Sequence, residues 1–286
     1  MLLDPRPLPD RIEDCYDDEY YGAGSGKFVP AIERFVDWFR GRRARQTERL
    51  LGAIPRAGTR RVLDIGCGSG QFLARVARGG HEIHGTELSA ATGRRASRVP
   101  GLHLHLGELR AESFPGGFFD LISIWHVLEH LPDPDRILSL CHEWLGDGGA
   151  LLVAVPNVDS WQARLFGGAW LHLDPPRHLH HFGRESLQGT LARAGFRIER
   201  IGTLSWEQNL YGVLQSAMNA IGFPRDEFYE ALKGNRALAR SPRLLVELVL
   251  MAALAPAAVL FTALEALFGS GGALECVARR VEPSAT

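Results

Sequence analysis

At 286 residues the chain is long enough for one large domain, or a domain with additions, around a sizeable core. A net charge of −1 supplies no global field for nucleic acid. The four cysteines, Cys15, Cys67, Cys141 and Cys276, lack CxxC spacing, which excludes a zinc knuckle and points to reduced thiols in the cytosol rather than a disulfide frame. MLLDPRPLPD has neither a basic n-region nor a long apolar run, so the start of the chain does not read as a signal peptide.

Residues 1–56 carry an aromatic stripe in which Ile32, Phe35, Val36 and Phe39 follow helical spacing. Arg40, Arg42, Arg43, Arg45 and Arg49 crowd the same stretch. They read as a solvated helix face, with an anionic partner as the sharper alternative. Arg61–Ile65 then reads as a strand buried on both faces, with Asp64 near its end. Gly66, Gly68 and Gly70 alternate after it, and Phe72, Leu73, Val76 and Ala77 recur at helical spacing up to Gly79-Gly80. A strand, a glycine turn and a helix make a nucleotide-binding half-unit: glycine lets a ligand approach the backbone, and the helix start offers free N–H donors. The spacing is G-x-G-x-G rather than the dinucleotide G-x-G-x-x-G, and Gln71 stands where a Walker loop needs Lys. The segment Asp64-Ile65-Gly66-Cys67-Gly68-Ser69-Gly70 closely resembles motif I of class I S-adenosylmethionine-dependent methyltransferases; the competing account is an ordinary tight strand–helix turn.

That resemblance implies S-adenosylmethionine as cofactor, and an α/β fold with a doubly wound, seven-stranded, mostly parallel sheet. It also implies an N-terminal lid, in which Tyr20 and Tyr21 are the residues to watch. His81–Leu88 reads as the second strand, ending in Glu87, whose carboxylate can accept from both hydroxyls of a ribose, with Leu88 beside it. Ser89 caps the following helix. Leu102–Leu106 is a third strand, and the family's acidic residue near the adenine amino group matches Glu108, followed by Leu109. Phe119–Val127 is a fourth buried strand running into Trp125-His126-Val127-Leu128-Glu129-His130. This stretch resembles the E-x-x-E-H motif of ubiquinone-biosynthesis O-methyltransferases, with His126 in place of the first Glu. His126, Glu129 and His130 could share a helical face and bind a divalent metal. A structural or cofactor-contacting role is preferred, and no metal is assigned.

Asp133 or Pro134 starts a helix to Leu145; a fifth strand, Ala150–Val155, ends at Pro156-Asn157. In an open parallel sheet ligands lie beyond the carboxyl ends of the strands, and Gly66–Gly70, Glu87, Glu108 and Trp125-His126 all fall at such ends, so one shared pocket is expected. The long connection 157–183, with Pro175-Pro176-Arg177-His178-Leu179-His180-His181-Phe182, should wall its acceptor side, His178 and His180 facing one way if extended and His181 the other. After a helix at Glu185–Ala194, Phe196–Gly202 is a sixth strand. Ala273–Arg280 is a seventh, antiparallel between the fifth and sixth as in the resembled family. The cofactor-binding core is thus 57–203 plus 273–281, with 204–272 an insertion that is apolar at 244–268.

The uncharged stretch Leu248–Leu264 is about 25 Å as a helix, short of the ~30 Å hydrocarbon core, and Pro256 interrupts it. A single crossing would also strand the last strand on the far side of the membrane. Three placements remain: peripheral membrane contact with Arg236, Arg240 and Arg243 suited to anionic headgroups, packing on the protein, or a homodimer interface. The expectation is methyl transfer, most simply O-methylation, to a small-molecule or lipid-linked acceptor, with no nucleic-acid partner, in a cytoplasmic protein peripheral on the inner membrane face. An oxygen acceptor needs a base, and His126 and His178 are the candidates, with His180 and His181 behind. A non-catalytic cofactor- or nucleotide-binding scaffold of a membrane complex is the second reading. A nicotinamide-dependent oxidoreductase, disfavoured by the glycine spacing, is the third.

Overall fold

The computed structural model describes residues 30–54, 58–224, 228 and 241–281, so Tyr20, Tyr21, Arg236 and Arg240 lie outside the described residues. In chain order the elements are α1 (Pro30–Gly52), β1 (Arg61–Ile65), α2 (Gln71–Val76), β2 (Glu82–Glu87), α3 (Ala90–Ala96), β3 (Leu102–Leu106), β4 (Phe119–Trp125), α4 (Pro134–Trp144), β5 (Leu145–Pro156), α5 (Trp161–Phe166), α6 (Arg184–Arg193), β6 (Phe196–Gly202), α7 (Trp206–Ala220), α8 (Pro242–Leu267) and β7 (Ala273–Arg280). The strands form one sheet in the order β3-β2-β1-β4-β5-β7-β6. Strands β1 to β5 pair in parallel. β7 runs against them: Asn157 N–H, just past the end of β5, donates to Gly272 O before β7, while Val281 N–H, after β7, donates to Gly195 O before β6. The order turns back between β1 and β4, which opens a crevice beyond the carboxyl ends of these two strands.

Local chemistry accounts for the element boundaries. The Ser89 hydroxyl accepts from Thr92 N–H at the start of α3, and the Asp133 carboxylate accepts from Arg136 N–H with Pro134 at the first helical position of α4. β5 begins five residues earlier than the expected Ala150, because Leu145 pairs with Phe119 across an irregularity in the ladder. α8 covers nearly all of the apolar stretch 244–268. It continues through Pro256 as one helix of 26 residues, not two broken at the proline.

The chain divides into two compact units, one of residues 37–155, 184–201 and 276–286, the other of 1–36, 156–183 and 202–275. In the first, Val62, Leu73, Val76, Ile83, Leu121, Leu152 and Val277 make a buried apolar core on which Ala44 and Leu51 of α1 also pack. In the second, α7 and α8 run antiparallel: Gln215 on α7 donates to Glu247 near the start of α8, and Arg243 donates to Gly222 O just past α7. Trp170 is fully buried there and donates its indole N–H to Gln162 on α5.

Candidate functional site

The turn leaving β1 holds three glycines with positive φ, Gly66, Gly68 and Gly70. Gly66 has φ +70°, and a Cβ there would lie 2.5 Å from a Val127 methyl. Gly68 has φ +57°, and a Cβ there would meet nothing within 4 Å, so its outer side is open to a ligand. Three hydrogen bonds tie the turn to β2: Cys67 N–H to Thr86 O at 3.0 Å, Gly66 N–H to Thr86 Oγ1 at 3.4 Å, and Gly68 N–H to Glu87 Oε2 at 3.1 Å. Glu87 thus joins two strand ends. Its other oxygen accepts from Leu88 N–H at 2.9 Å and Ser89 N–H at 3.3 Å. Burial pushes its pKa up, and these N–H donors and Arg95 pull against that shift.

Asp64 is buried and accepts from the Ser123 hydroxyl of β4 at 2.6 Å. Burial pushes its pKa up to about 7, opposed by that hydrogen bond and by the Arg43 charge. Arg43 comes from α1, and its guanidinium lies 4.8 Å from the Trp125 ring centre, on which Phe72 also packs edge-on. His126 follows Trp125 in a left-handed conformation, φ +54°, with its N–H donating to Ala154 O at 2.9 Å and its Nδ1 3.7 Å from Glu129 Oε1. A non-glycine residue held there stores strain that the surrounding structure must impose. Among the described residues, Trp125 Nε1 and His126 Nε2 are buried without a hydrogen-bond partner. Two such orphaned atoms at one strand end fit a polar ligand.

The remaining expected cofactor residues occupy the ends of β2 and β3. Leu88 is 54% exposed, unusual for a leucine, and offers an apolar face beside Glu87. Glu108 is exposed and lines an open groove of about 530 Å³ with His105, Leu106, Arg110, Glu112 and Ser113. Leu109 is buried, and its carbonyl accepts from Arg136. The Cys67 thiol is pushed well above the usual thiol range by burial, so it stays protonated. Glu82, His84 and His103, at the other end of the strands, also gather ligand atoms within 4.8 Å. There His84 is hydrogen-bonded to Glu82, whose other oxygen pairs with Arg61, and His103 stacks on His84.

His178 belongs to the other unit. Its Nδ1 is 2.7 Å from His172 O; a carbonyl only accepts, so Nδ1 carries the proton and Nε2 is the basic nitrogen, 3.8 Å from Asp174 Oδ2. His181 likewise bonds Leu173 O, and His180 stacks on Phe182. The expected alternation does not hold. His178 N–H bonds back to Asp174 O in a turn, and the His178 and His181 rings lie 6.3 Å apart rather than on opposite sides of an extended strand. Sequence reasoning missed Arg43, Thr86, Ser123 and Val127. The arginine cluster was visible, but only packing singles out Arg43 from it.

A mostly parallel seven-stranded sheet with an antiparallel β7, whose first strand ends in a glycine turn bonded to the acid closing the second, defines the class I S-adenosylmethionine-dependent methyltransferase fold. Residues 33–201 match the family model described as a methyltransferase domain, and the chain belongs to that family. Among curated proteins it is 31% identical over 147 residues to the ubiquinone biosynthesis O-methyltransferase of Ralstonia nicotianae, across 47% of this chain and 60% of that one. The chain thus spans about 60% of the length of such a relative. The solved structure of the 4+2 cyclase SpnF aligns with a TM-score of 0.52 at 22% identity over 83% of this chain and 80% of that one. Geranyl diphosphate methyltransferase in complex with its cofactor aligns with 0.50 at 15% over 83% and 85%. These likenesses carry the fold, and a cyclase among them shows that the fold does not dictate the reaction. The cofactor of the family is S-adenosylmethionine, and the open side of Gly68, the Glu87 carboxylate and the orphaned atoms of Trp125 and His126 suit it.

Proposed function

We propose that the protein transfers a methyl group from S-adenosylmethionine to an oxygen of a small-molecule or lipid-linked acceptor. The observation that carries this reading is the joining of the Gly66–Gly70 turn to Glu87 at adjacent strand ends, beside two unpartnered polar atoms. The cofactor, when bound, supplies an electrophilic methyl on a sulfonium leaving group, so the chain mainly has to align the acceptor. Glu87 would accept from the ribose hydroxyls, Leu88 would cover an adenine face, and Glu108 and Leu109 would border the adenine edge. The Gly66, Gly68 and Gly70 backbone admits the ligand, while Asp64 holds the turn through Ser123. Trp125 closes the site beside Arg43. His126 and His178 are the candidate bases, each presenting a ring nitrogen able to take a proton from an acceptor hydroxyl. The same reading assigns residues 1–56 to a lid, 57–203 plus 273–281 to the cofactor-binding core and 204–272 to an insertion. It places the protein in the cytoplasm, peripheral on a membrane face.

Calorimetry should detect S-adenosylmethionine and S-adenosylhomocysteine and not NAD. Labelled methyl from the first should then enter an acceptor in a cell extract, identified by comparing extracts with and without the protein. His126→Ala and His178→Ala should each lower turnover roughly 10²-fold or more if they act as bases, with cofactor affinity largely retained. Full turnover in His178→Ala removes that residue from the mechanism. Tight cofactor binding without product on any acceptor supports the second reading, a non-catalytic scaffold, for which the exposed apolar face of α8 is the specific observation.

A further inference from the structure

α8 has its polarity turned inside out. The side facing the protein carries Leu244, Glu247, Met251, Ala258, Thr262 and Glu265, all buried. Its two carboxylates are held by amide donors of its own unit: Gln215 Nε2 to Glu247, and both Gln162 N–H, at 2.8 Å, and Gln162 Nε2, at 3.0 Å, to Glu265. The outward positions are apolar instead, with Leu245 65%, Val249 60%, Leu260 62% and Leu267 77% exposed, and Val246, Leu248, Leu254, Val259 and Leu264 also exposed. Most of the helix's apolar stretch is therefore exposed. A water-facing helix carries its charges outside and its apolar stripe inside, and single exposed leucines need no explanation, but a continuous apolar surface does.

The inward turn of Glu247 and Glu265 also changes the length of the apolar surface. It runs from Leu245 to Phe268, about 36 Å of helix, rather than over the uncharged Leu248–Leu264 alone. Its two ends carry side chains suited to a membrane–water boundary. Arg243 lies over the Phe223 ring at one end, and Trp161 stacks on Phe268 at 5.3 Å at the other. A second copy of the helix would cover one stripe of about 100°, whereas the exposed apolar residues fall on nearly every direction except the protein-facing one. Complete crossing is ruled out by the chain path. α8 starts where the antiparallel α7 ends, and α7 carries Glu207, Gln208, Asn209, Gln215 and Asn219, which would have to cross with it.

We propose that α8 lies in the plane of a lipid bilayer, its outward face from Leu245 to Phe268 sunk into one leaflet while Glu247 and Glu265 stay paired on the protein side. The partner is the acyl region itself, so binding is driven by apolar area rather than by headgroup charge. This rests on the peripheral placement proposed above and says which helix makes the contact, while methyl transfer stands or falls separately from it.

The full chain should float with phosphatidylcholine vesicles, with or without phosphatidylglycerol, and stay bound in high salt. Val249→Glu with Leu260→Glu should lower partition at least ~10-fold, since each places a charge against hydrocarbon. Val281→Glu, at an exposed apolar residue past β7, should leave it unchanged. Circular dichroism and S-adenosylmethionine affinity check that the variants fold. Should they fail to fold, brominated acyl chains provide the second reading: they should quench wild-type fluorescence, and Trp161→Phe should lose most of the quenching. Absence of flotation, flotation only on anionic vesicles that salt reverses, or a soluble dimer that Val249→Glu with Leu260→Glu dissociates would each overturn the proposal. The last would assign the face to a second copy.

Discussion

Asp64 is 4% exposed, and burial lifts its pKa from 3.8 to about 7. A carboxyl whose folded pKa is raised stabilises the fold fully below its unfolded pKa, and that contribution is lost as pH rises through the folded value. The apo protein should therefore lose stability between about pH 4 and pH 7 on account of this group. Asp64→Asn keeps an acceptor for the Ser123 hydroxyl without the charge. Its melting temperature should gain on the wild type progressively from about pH 4 to pH 7, by several degrees, and the gap should level off above that. Parallel melting curves across that range would show that Asp64 does not titrate there. Glu87 shifts in the same direction but already accepts three backbone N–H bonds, so its role is judged by ligand binding instead. If Glu87 accepts from the ribose diol as proposed, Glu87→Ala should weaken cofactor binding by roughly 10- to 100-fold, measured by calorimetry.

Between β1 and α2, Gly66 and Gly68 make separable predictions. At Gly66 any side chain meets both a left-handed backbone and the Val127 methyls, so Gly66→Ala should lower the melting temperature by several degrees. Adding Val127→Ala should recover the steric share and leave the backbone share. At Gly68 the space is empty, so Gly68→Ala should cost only ~1 kcal/mol of stability, the left-handed share. Its Cβ would nevertheless project toward the ligand side and weaken S-adenosylmethionine binding severalfold or more. If Gly68→Ala binds normally, the cofactor does not cross that turn. Element boundaries that rest on caps were legible in the chain, as at Ser89 and at Asp133-Pro134, because a cap bonds residues three positions away. The early start of β5 was not, because Leu145 is recruited by Phe119, a partner 26 positions distant.

For the molecule as a whole, a ligand that binds only the folded state stabilises it by mass action. S-adenosylmethionine at about 100 times its dissociation constant should add about 2.7 kcal/mol, a shift of roughly 5–10 °C for a protein of this size, and NAD should add none. Glu87→Ala should lose most of that shift yet float with vesicles like the wild type, which separates the cofactor reading from the bilayer reading. A variant that loses both would point to a general folding defect.

The chain by itself determined the βα order, the glycine turn with its acid two residues upstream, Glu87 at the end of the second strand and the antiparallel last strand. The first three are encoded in short-range patterns, alternation, glycine spacing and caps, whereas the direction of the last strand followed only from the resemblance to the family. What it could not determine depends on partners far away in sequence. Arg43 looked like one member of a solvated cluster until α1 laid it over Trp125, 82 positions on. His178 and His181, placed on opposite sides by strand periodicity, were brought together by a turn back to Asp174. The direction of Glu247 and Glu265 was decided only when Gln215 and Gln162 supplied their donors, since a buried carboxylate turns toward whatever satisfies it and leaves the apolar side of its helix facing out.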